Sequence, residues 1–255
     1  MPVLADKVAI ITGAGAGIGE AIARAFSAEG ARVVVSDIDV ARAQKVADTL
    51  PGAIAVGADV RDEDQVRALI ERAVAECGRL DVVVPNAGIA TTVPLTEMSF
   101  DQWRDVMSVN LDGVFLTIRH SLPALLAAGG GSIVTISSIT ATAGSALIAS
   151  YAAAKAAVRN LTETVSAELR THGIRANALL PGFIDTELVT SHQADFEAAL
   201  GLEPGGFDTV ITGKQTRYGR VEEVAAAAVF FASDQSAWCN GSSLILDGGF
   251  RGALL

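Results

Sequence analysis

Short, unbroken apolar runs alternate with longer helical stretches along the whole chain, and this alternation constrains the fold more than any other feature. The runs are Val8-Ala9-Ile10-Ile11, Val33-Val34-Val35, Ala53-Ile54-Ala55-Val56, Val82-Val83-Val84, Ile133-Val134-Thr135-Ile136, Arg175-Ala176-Asn177-Ala178-Leu179 and Ser243-Leu244-Ile245-Leu246. Most are apolar at consecutive rather than alternate positions, the pattern of strands covered on both faces. Helical periodicity occupies residues 18–29, 40–50, 63–76, 100–128, 150–171 and 221–233. Strands alternating with helices predict an α/β fold with a parallel sheet wrapped on both sides. No linker or change of composition divides residues 1–255, so one domain is expected. Only residues 185–216, with Gly201, Pro204, Gly205, Gly206 and Gly213, lack clear periodicity. A stretch of that length inside a compact domain is usually functional, which predicts a substrate lid.

Composition narrows the classes of partner. Hydrophobic residues make up 50% and charged residues 19% of the 255, far from the balance of a disordered chain. Much of the apolar excess is alanine, which suits close-packed helices and subunit interfaces. No run approaches the about 18 apolar residues of a membrane span, and residues 1–7 lack the regions of a signal peptide. The net charge is −10 and no basic run occurs, which argues against nucleic acid or anionic membranes as partners. Cys77 and Cys239 offer neither a disulfide framework nor metal-ligand spacing. A reduced, cytoplasmic enzyme without a metal is expected.

Thr12-Gly13-Ala14-Gly15-Ala16-Gly17-Ile18-Gly19 occupies the junction of the first strand and first helix. Glycines there let the backbone turn sharply and approach a pyrophosphate, whose charge the helix N-terminus stabilises. A glycine cluster alone also fits any tight strand-to-helix turn. Here a strand precedes it, a helix follows, and the acid Asp37 ends the second strand 18 residues beyond Gly19, as in a dinucleotide site. A carboxylate at that strand end accepts hydrogen bonds from ribose hydroxyls and repels a 2′-phosphate. None of Ala14, Ala16 and Ile38 is basic, and Arg42 lies a helical turn further on. The expected cofactor is NAD rather than NADP.

With Gly13-x-x-x-Gly17-x-Gly19, Asn86-Ala87-Gly88 and Tyr151-x-x-x-Lys155 in this order, the chain resembles the short-chain dehydrogenase/reductase family over residues 5–250. Asp59-Val60, Asn110, Ser138, Pro181-Gly182-x-x-x-Thr186 and Asp247-Gly248-Gly249 extend the likeness. Each element is weak alone; the ordered set is specific. Pro85 departs from it, standing where the family often has a second Asn. The resemblance implies a single-domain, Rossmann-like doubly wound parallel sheet of about seven strands with helices on both faces. It also implies a homotetramer or homodimer, packed through the long helices and the chain end from Phe250 to Leu255. It places the backbones of Ala16, Gly17 and Ile18 at the phosphates, and Asp59 and Val60 at the adenine. Asn86 and Gly88 would line the cleft, and Pro181, Gly182, Ile184 and Thr186 would flank the nicotinamide.

Oxidising a secondary alcohol removes a hydride from carbon and requires a base for the hydroxyl proton. A free phenol titrates at about 10, so a tyrosine base needs help. Tyr151 and Lys155, spaced i, i+4, share one helix face. The Lys155 cation, together with an oxidised nicotinamide, would favour the phenolate. The family likeness also assigns Lys155 to the nicotinamide ribose and Asn110 to a water linking Lys155 to solvent. Ser138, 13 residues before Tyr151, would stabilise charge on the reacting oxygen; adjacent Ser137 lacks that spacing. Taken singly, Tyr151 reads as a surface aromatic, Lys155 as a solvated charge, Ser138 as a cap and Asn110 as a helix-interior contact. Their convergence on one reaction favours catalysis.

The lid carries Leu188, Phe196, Leu200, Leu202, Phe207, Val210 and Ile211, and Ile139, Ala141, Ala143, Ala146, Leu147 and Ile148 surround the catalytic stretch. No Arg or Lys falls within 139–150, so a neutral, largely apolar alcohol or ketone is expected. His120 and His172 read as structural; His192 lies in the lid, within reach of a substrate. Two rival functions remain. A 3-oxoacyl carrier-protein reductase carries the same motifs but usually uses NADPH, which Asp37 opposes. A catalytically idle NAD-binding scaffold should have lost Ser138, Tyr151 or Lys155.

Overall fold

The computed structural model describes residues 2–252. Its strands are β1 (Val8–Thr12), β2 (Arg32–Asp37), β3 (Ile54–Gly57), β4 (Val82–Val84), β5 (Gly131–Ile136), β6 (Ile174–Pro181) and β7 (Ser243–Leu246). They form a single seven-stranded sheet in the order β3-β2-β1-β4-β5-β6-β7, and every neighbouring pair is parallel. The Rossmann-like expectation holds. Strand order reverses between β1 and β4, and in open α/β sheets that switch point opens a crevice at the carboxyl ends of the strands.

Helices α1 (Gly17–Ala28), α2 (Val40–Ala47), α3 (Glu63–Cys77), α4 (Phe100–Met107), α5 (Gly113–Ala127) and α6 (Ala149–Leu169) follow the strands in turn. One core face packs Ile22 and Phe26 of α1 and Val46 of α2 against Ile11, Val33 and Val84. The other packs Leu69 of α3, Ile118 of α5 and Val158 of α6 against Ile10, Val34 and Val83. Successive residues of one strand thus serve opposite cores, which is why the strand runs are unbroken rather than alternating.

Two segments differ from the sequence expectation. The single helix over 100–128 is α4 and α5 joined through a π-helical turn, Ser108–Asp112. Such turns often mark functional positions, and this one carries Asn110. Residues 185–216 are not irregular: they form α7 (Glu187–Thr190), α8 (Gln193–Leu200) and α9 (Gly206–Gln215) before α10 (Val221–Ala232). These helices are too short to show periodicity over the 11 or so residues that such a signal needs. Phe207 links them, stacking on Phe196 at 4.9 Å and meeting Phe183, beyond β6, edge-on at 5.6 Å. Residues 253–255 of the chain end invoked for oligomer packing lie outside the described residues.

Candidate active site

β1 leads into the glycine turn, where Gly13 has φ +62°, a left-handed conformation that strains any side chain. Gly19 answers a different need: a Cβ there would lie 2.3 Å from the Gly13 carbonyl oxygen and 2.5 Å from Asn86 Nδ2. Asn86 Nδ2 donates to the carbonyls of Thr12 at 2.9 Å and Gly13 at 3.0 Å. Its N–H and that of Ala87 donate to Thr12 Oγ1. The loop after β4 thus fastens the glycine turn, and Pro85 leaves Asn86 in place. α1 starts beyond Ala16 with no side-chain cap, so its first N–H groups remain available to an anion.

The cleft at this switch point measures about 590 Å³ and is lined by Gly13, Ala16, Gly17, Ile18, Asp37, Asp59, Val60, Asn86, Gly88, Tyr151, Lys155, Pro181, Gly182, Ile184 and Thr186. Of the expected cofactor positions only Gly19 is absent, since it packs behind the turn. Ile38 and Arg42, which the sequence placed near Asp37, also line the cleft, as do Arg61, Ile89 and Val109, of which sequence motifs gave no sign. The uncapped helix N-terminus, the carboxylate at the end of β2 and the size of the cleft fit a nicotinamide dinucleotide.

Asp37 is held in place by donors from its own neighbourhood. Its Oδ2 accepts the Gly15 N–H at 2.9 Å and its Oδ1 the Asp39 N–H at 3.0 Å. Arg42 comes closer than its position a turn away suggests. It reaches the same cleft, donates from NH1 to Glu187 Oε2 of α7 at 3.0 Å, and places Nε 3.6 Å from Asp39 Oδ2. Asp59 is gripped by Arg61, with NH2 to Oδ2 at 2.7 Å, and that bond holds its carboxyl below the usual carboxylate range.

Tyr151 and Lys155 occupy the first two turns of α6. Lys155 is 3% exposed, and its Nζ donates to the Ile136 carbonyl at 2.8 Å. Burial lowers its ammonium from 10.5 to about 8. Burial also pushes the Tyr151 phenol up to about 12, with the Ser138 hydroxyl pulling the other way. The expected lowering of Tyr151 is therefore absent from the protein alone: burial outweighs the Ser138 hydroxyl, and the ammonium's hydrogen bond goes to the Ile136 carbonyl.

The two adjacent serines divide their work. Ser137 Oγ donates to the Lys155 carbonyl at 2.8 Å and anchors α6. Ser138 Oγ accepts the Thr140 N–H at 3.2 Å, which leaves its own O–H to donate. Asn110 is fully buried; its Oδ1 accepts the Ile89 N–H and its Nδ2 donates to the Ile89 carbonyl, each at 2.9 Å. A Cβ on Gly88 would lie 3.5 Å from Asn110 Oδ1 and 3.6 Å from Lys155 Nζ, so these groups bracket one point of the cleft.

A second cavity, of about 90 Å³, adjoins the first. Ser138, Tyr151, Ile139, Ile148, Phe183, Leu188, Val189, Phe196 and Phe207 line it, with Thr92, Thr140 and His192. Ala141, Ala143, Ala146, Leu147, Leu200, Leu202, Val210 and Ile211 do not. His192 has Nδ1 2.9 Å from the Leu188 carbonyl oxygen and Nε2 3.0 Å from that of Ala90. Elsewhere His120 meets Glu63 at 2.9 Å, and burial pushes the Cys77 thiol up. Among the described residues no cluster of His, Cys, Asp or Glu is arranged to hold a metal.

A family model described as Enoyl-(Acyl carrier protein) reductase matches residues 13–251. The chain is 44% identical over 253 residues to a cis-4-hydroxycyclohexanecarboxylate dehydrogenase of Sinomonas cyclohexanicum, covering 96% of this chain and 97% of the relative. It is 40% identical to a cyclohexanol dehydrogenase of Acinetobacter sp. (strain SE19), covering 96% and 95%. It is 38% identical to a 3-oxoacyl-[acyl-carrier-protein] reductase of Thermotoga maritima, covering 96% and 98%. A crystal structure of a short-chain type dehydrogenase/reductase from Mycobacterium marinum superimposes with a TM-score of 0.85 at 33% identity, covering 98% of this chain and 97% of that one. The chain belongs to the short-chain dehydrogenase/reductase family and is an oxidoreductase of alcohol or ketone substrates.

Proposed function

We propose that the protein transfers a hydride between NAD(H) and a neutral, largely apolar secondary alcohol or ketone, foremost a cyclic one, with Tyr151 as general acid/base. One observation carries this reading: Tyr151 lines both the dinucleotide-sized cleft and the small apolar cavity, where cofactor and substrate would meet. When bound, an oxidised nicotinamide would accept the hydride from the carbinol carbon. In oxidation the Tyr151 phenolate takes the hydroxyl proton; in reduction the phenol returns it. The free O–H of Ser138 donates to the reacting oxygen as charge develops there. Lys155 supplies positive charge beside the phenol, and Asn110 holds the Ile89 backbone at the wall of the cleft.

The relatives named for a cyclohexane alcohol and for cyclohexanol support a cyclic substrate. Asp37 at the end of β2 supports NAD. With no lysine or arginine lining the small cavity, the alcohol reading is favoured over a 3-oxoacyl carrier-protein reductase. The presence of Ser138, Tyr151 and Lys155 opposes an idle scaffold.

A homotetramer or homodimer is part of the same proposal. Edge strand β7 exposes Leu244 and Ile245, and nearby Trp238 is fully exposed, the kind of apolar surface a partner subunit covers. A stable monomer by light scattering would refute it. A cytoplasmic setting accords with the free thiols of Cys77 and Cys239.

Initial rates over a panel of alcohols and 3-oxoacyl thioesters, followed by NADH or NADPH absorbance, test the reaction. Tyr151→Phe keeps the ring and removes the proton carrier, so turnover should fall by roughly 10²–10⁴ while NADH binding changes little. Near-native turnover in that variant would show the assignment to be wrong.

A further inference from the structure

Four buried hydroxyl oxygens among the described residues have no hydrogen-bond partner: those of Ser36, Thr92, Thr140 and Ser150. Two of these residues, Thr92 and Thr140, line the same small cavity as Tyr151 and Ser138. Unpaired buried hydroxyls are costly and native interiors hold few. Both oxygens are turned away from the open space of that cavity, so a side-chain rotation is what would bring each to a partner there.

Both threonines sit on backbone that is already committed. The Thr140 N–H donates to Ser138 Oγ at 3.2 Å, so its hydroxyl is tied directly to the catalytic turn. Thr92 precedes Val93, whose N–H donates to the Leu147 carbonyl at 2.8 Å, fixing the loop after β4 against the approach to α6. A threonine bears a methyl and a hydroxyl on one Cβ, and rotation about χ1 exchanges their places. Either hydroxyl can thus be offered to the cavity without moving the main chain.

The rest of the wall offers a substrate little polarity. Ile139, Ile148, Phe183 and Phe196 are apolar, no lysine or arginine lines the cavity, and the His192 ring is already engaged, Nε2 donating to the Ala90 carbonyl oxygen at 3.0 Å and Nδ1 accepting from Ser191 Oγ at 3.1 Å. A hydroxyl both donates and accepts, so it suits an uncharged hydroxyl or oxo group. A carboxylate entering here would lose its water and meet no free cation.

We propose that Thr92 and Thr140 bind a second, uncharged oxygen of the substrate. The preferred alcohol is then a compact cyclic diol or hydroxyketone rather than cyclohexanol itself or a hydroxycyclohexanecarboxylate. This rests on the alcohol-oxidising reading above. Only the carbinol carbon held between Tyr151 and Ser138 gives up its hydride and hydroxyl proton; the second oxygen is bound and left unchanged.

The test compares kcat/KM with NAD for cyclohexanol, the cyclohexane-1,3- and 1,4-diols, 4-hydroxycyclohexanone and cis-4-hydroxycyclohexanecarboxylate. At least one diol or the hydroxyketone should exceed cyclohexanol by about tenfold, near the net worth of one hydrogen bond. The isosteric Thr92→Val and Thr140→Val should each pull that ratio toward one, and Thr92→Ser and Thr140→Ser should restore it. The valine variants, which remove unpaired hydroxyls, should melt without ligand no lower than the wild type. Oxidation of cyclohexanol with no gain from a second oxygen, preference for the carboxylate, a ratio that survives both valines, or valine variants that melt lower overturns the inference and leaves the alcohol reading standing. Failure of the wild type to oxidise any alcohol overturns both.

Discussion

The Lys155 ammonium lies 5.5 Å from the centroid of the Tyr151 ring, yet its hydrogen bond of 2.8 Å goes to the Ile136 carbonyl. Burial acts on the two groups in opposite directions, raising the phenol to about 12 and lowering the ammonium to about 8. Both shifts favour the neutral forms. The resting protein therefore holds a protonated, uncharged tyrosine beside a lysine whose ammonium is lowered to about 8, and catalysis must shift that balance.

Alcohol oxidation needs the phenolate, and reduction needs the phenol. With the phenol raised by burial, oxidation at saturating cofactor should climb with pH from 6 upward, toward an apparent pKa below 12 set by positive charge in the loaded site. Reduction should stay level over the same range and decline only once the phenol titrates. Initial rates in both directions across pH 6–10 check this. Oxidation that falls as pH rises would remove Tyr151 from the role of base.

The lowered Lys155 pKa is also a statement about stability. A group that binds its proton less tightly when folded makes the unfolded chain the better proton acceptor between pH 8 and 10.5. Stability therefore rises with pH across that window, and the full cost is present below it. A shift of this size is worth at most about 3 kcal/mol, against about 1 kcal/mol for the bond to Ile136. Lys155→Met should thus melt higher than the wild type at pH 7, the gap should close by pH 10.5, and activity should be lost. A wild type that melts higher at pH 7 would contradict the burial argument.

Ser137 and Ser138 are neighbours that mutation should separate. Ser137→Ala removes the donor to the Lys155 carbonyl and should cost about 1 kcal/mol of stability, with a modest loss of rate. Ser138→Ala removes the donor to the reacting oxygen and should lower kcat by roughly 10²-fold or more, while loss of its bond from the Thr140 N–H should cost no more stability than Ser137→Ala. Paired melting curves and kinetics decide the matter; equal kinetic losses would undo the division of roles.

The sheet was legible because its inner strands are buried on both faces, so Val82-Val83-Val84 and its counterparts leave an apolar signature needing no tertiary information. The cofactor cleft was legible because its glycines and Asp37 lie at fixed offsets from strand ends. Contacts made across the fold were not. Arg42 and Glu187 are 145 residues apart, and nothing local in either segment announces their pairing. The clamp of Asn110 on Ile89 depends on a π-helical turn that looks like ordinary helix in the sequence. The short helices α7 to α9 gain their order from Phe207 and its aromatic neighbours rather than from periodicity.

Cofactor choice follows from that distant pairing as well as from Asp37. Arg42 is the cation beside Asp37 in the cleft, and left free it would serve a 2′-phosphate. Glu187 and Asp39 occupy it instead, so the carboxylates outnumber the guanidinium around the adenosine end. NADH should bind more tightly than NADPH, and Asp37→Ala should weaken NADH while partly relieving the bar to NADPH. The Arg42–Glu187 pair is open to solvent, its side chains 52% and 71% exposed, and such a pair is worth at most about 1 kcal/mol. Glu187→Gln alone should therefore raise NADPH affinity relative to NADH only about fivefold at most. Asp37→Ala with Glu187→Gln should shift the ratio further than either change, because a freed Arg42 then meets the phosphate without a facing carboxylate. Fluorescence titration of both cofactors, repeated with 2′,5′-ADP against 5′-AMP as competitors, reads the ratio without turnover. Wild-type affinity for NADPH equal to or above that for NADH would overturn the NAD assignment, whereas an unchanged ratio in Glu187→Gln would overturn only the part given to the Arg42 pair.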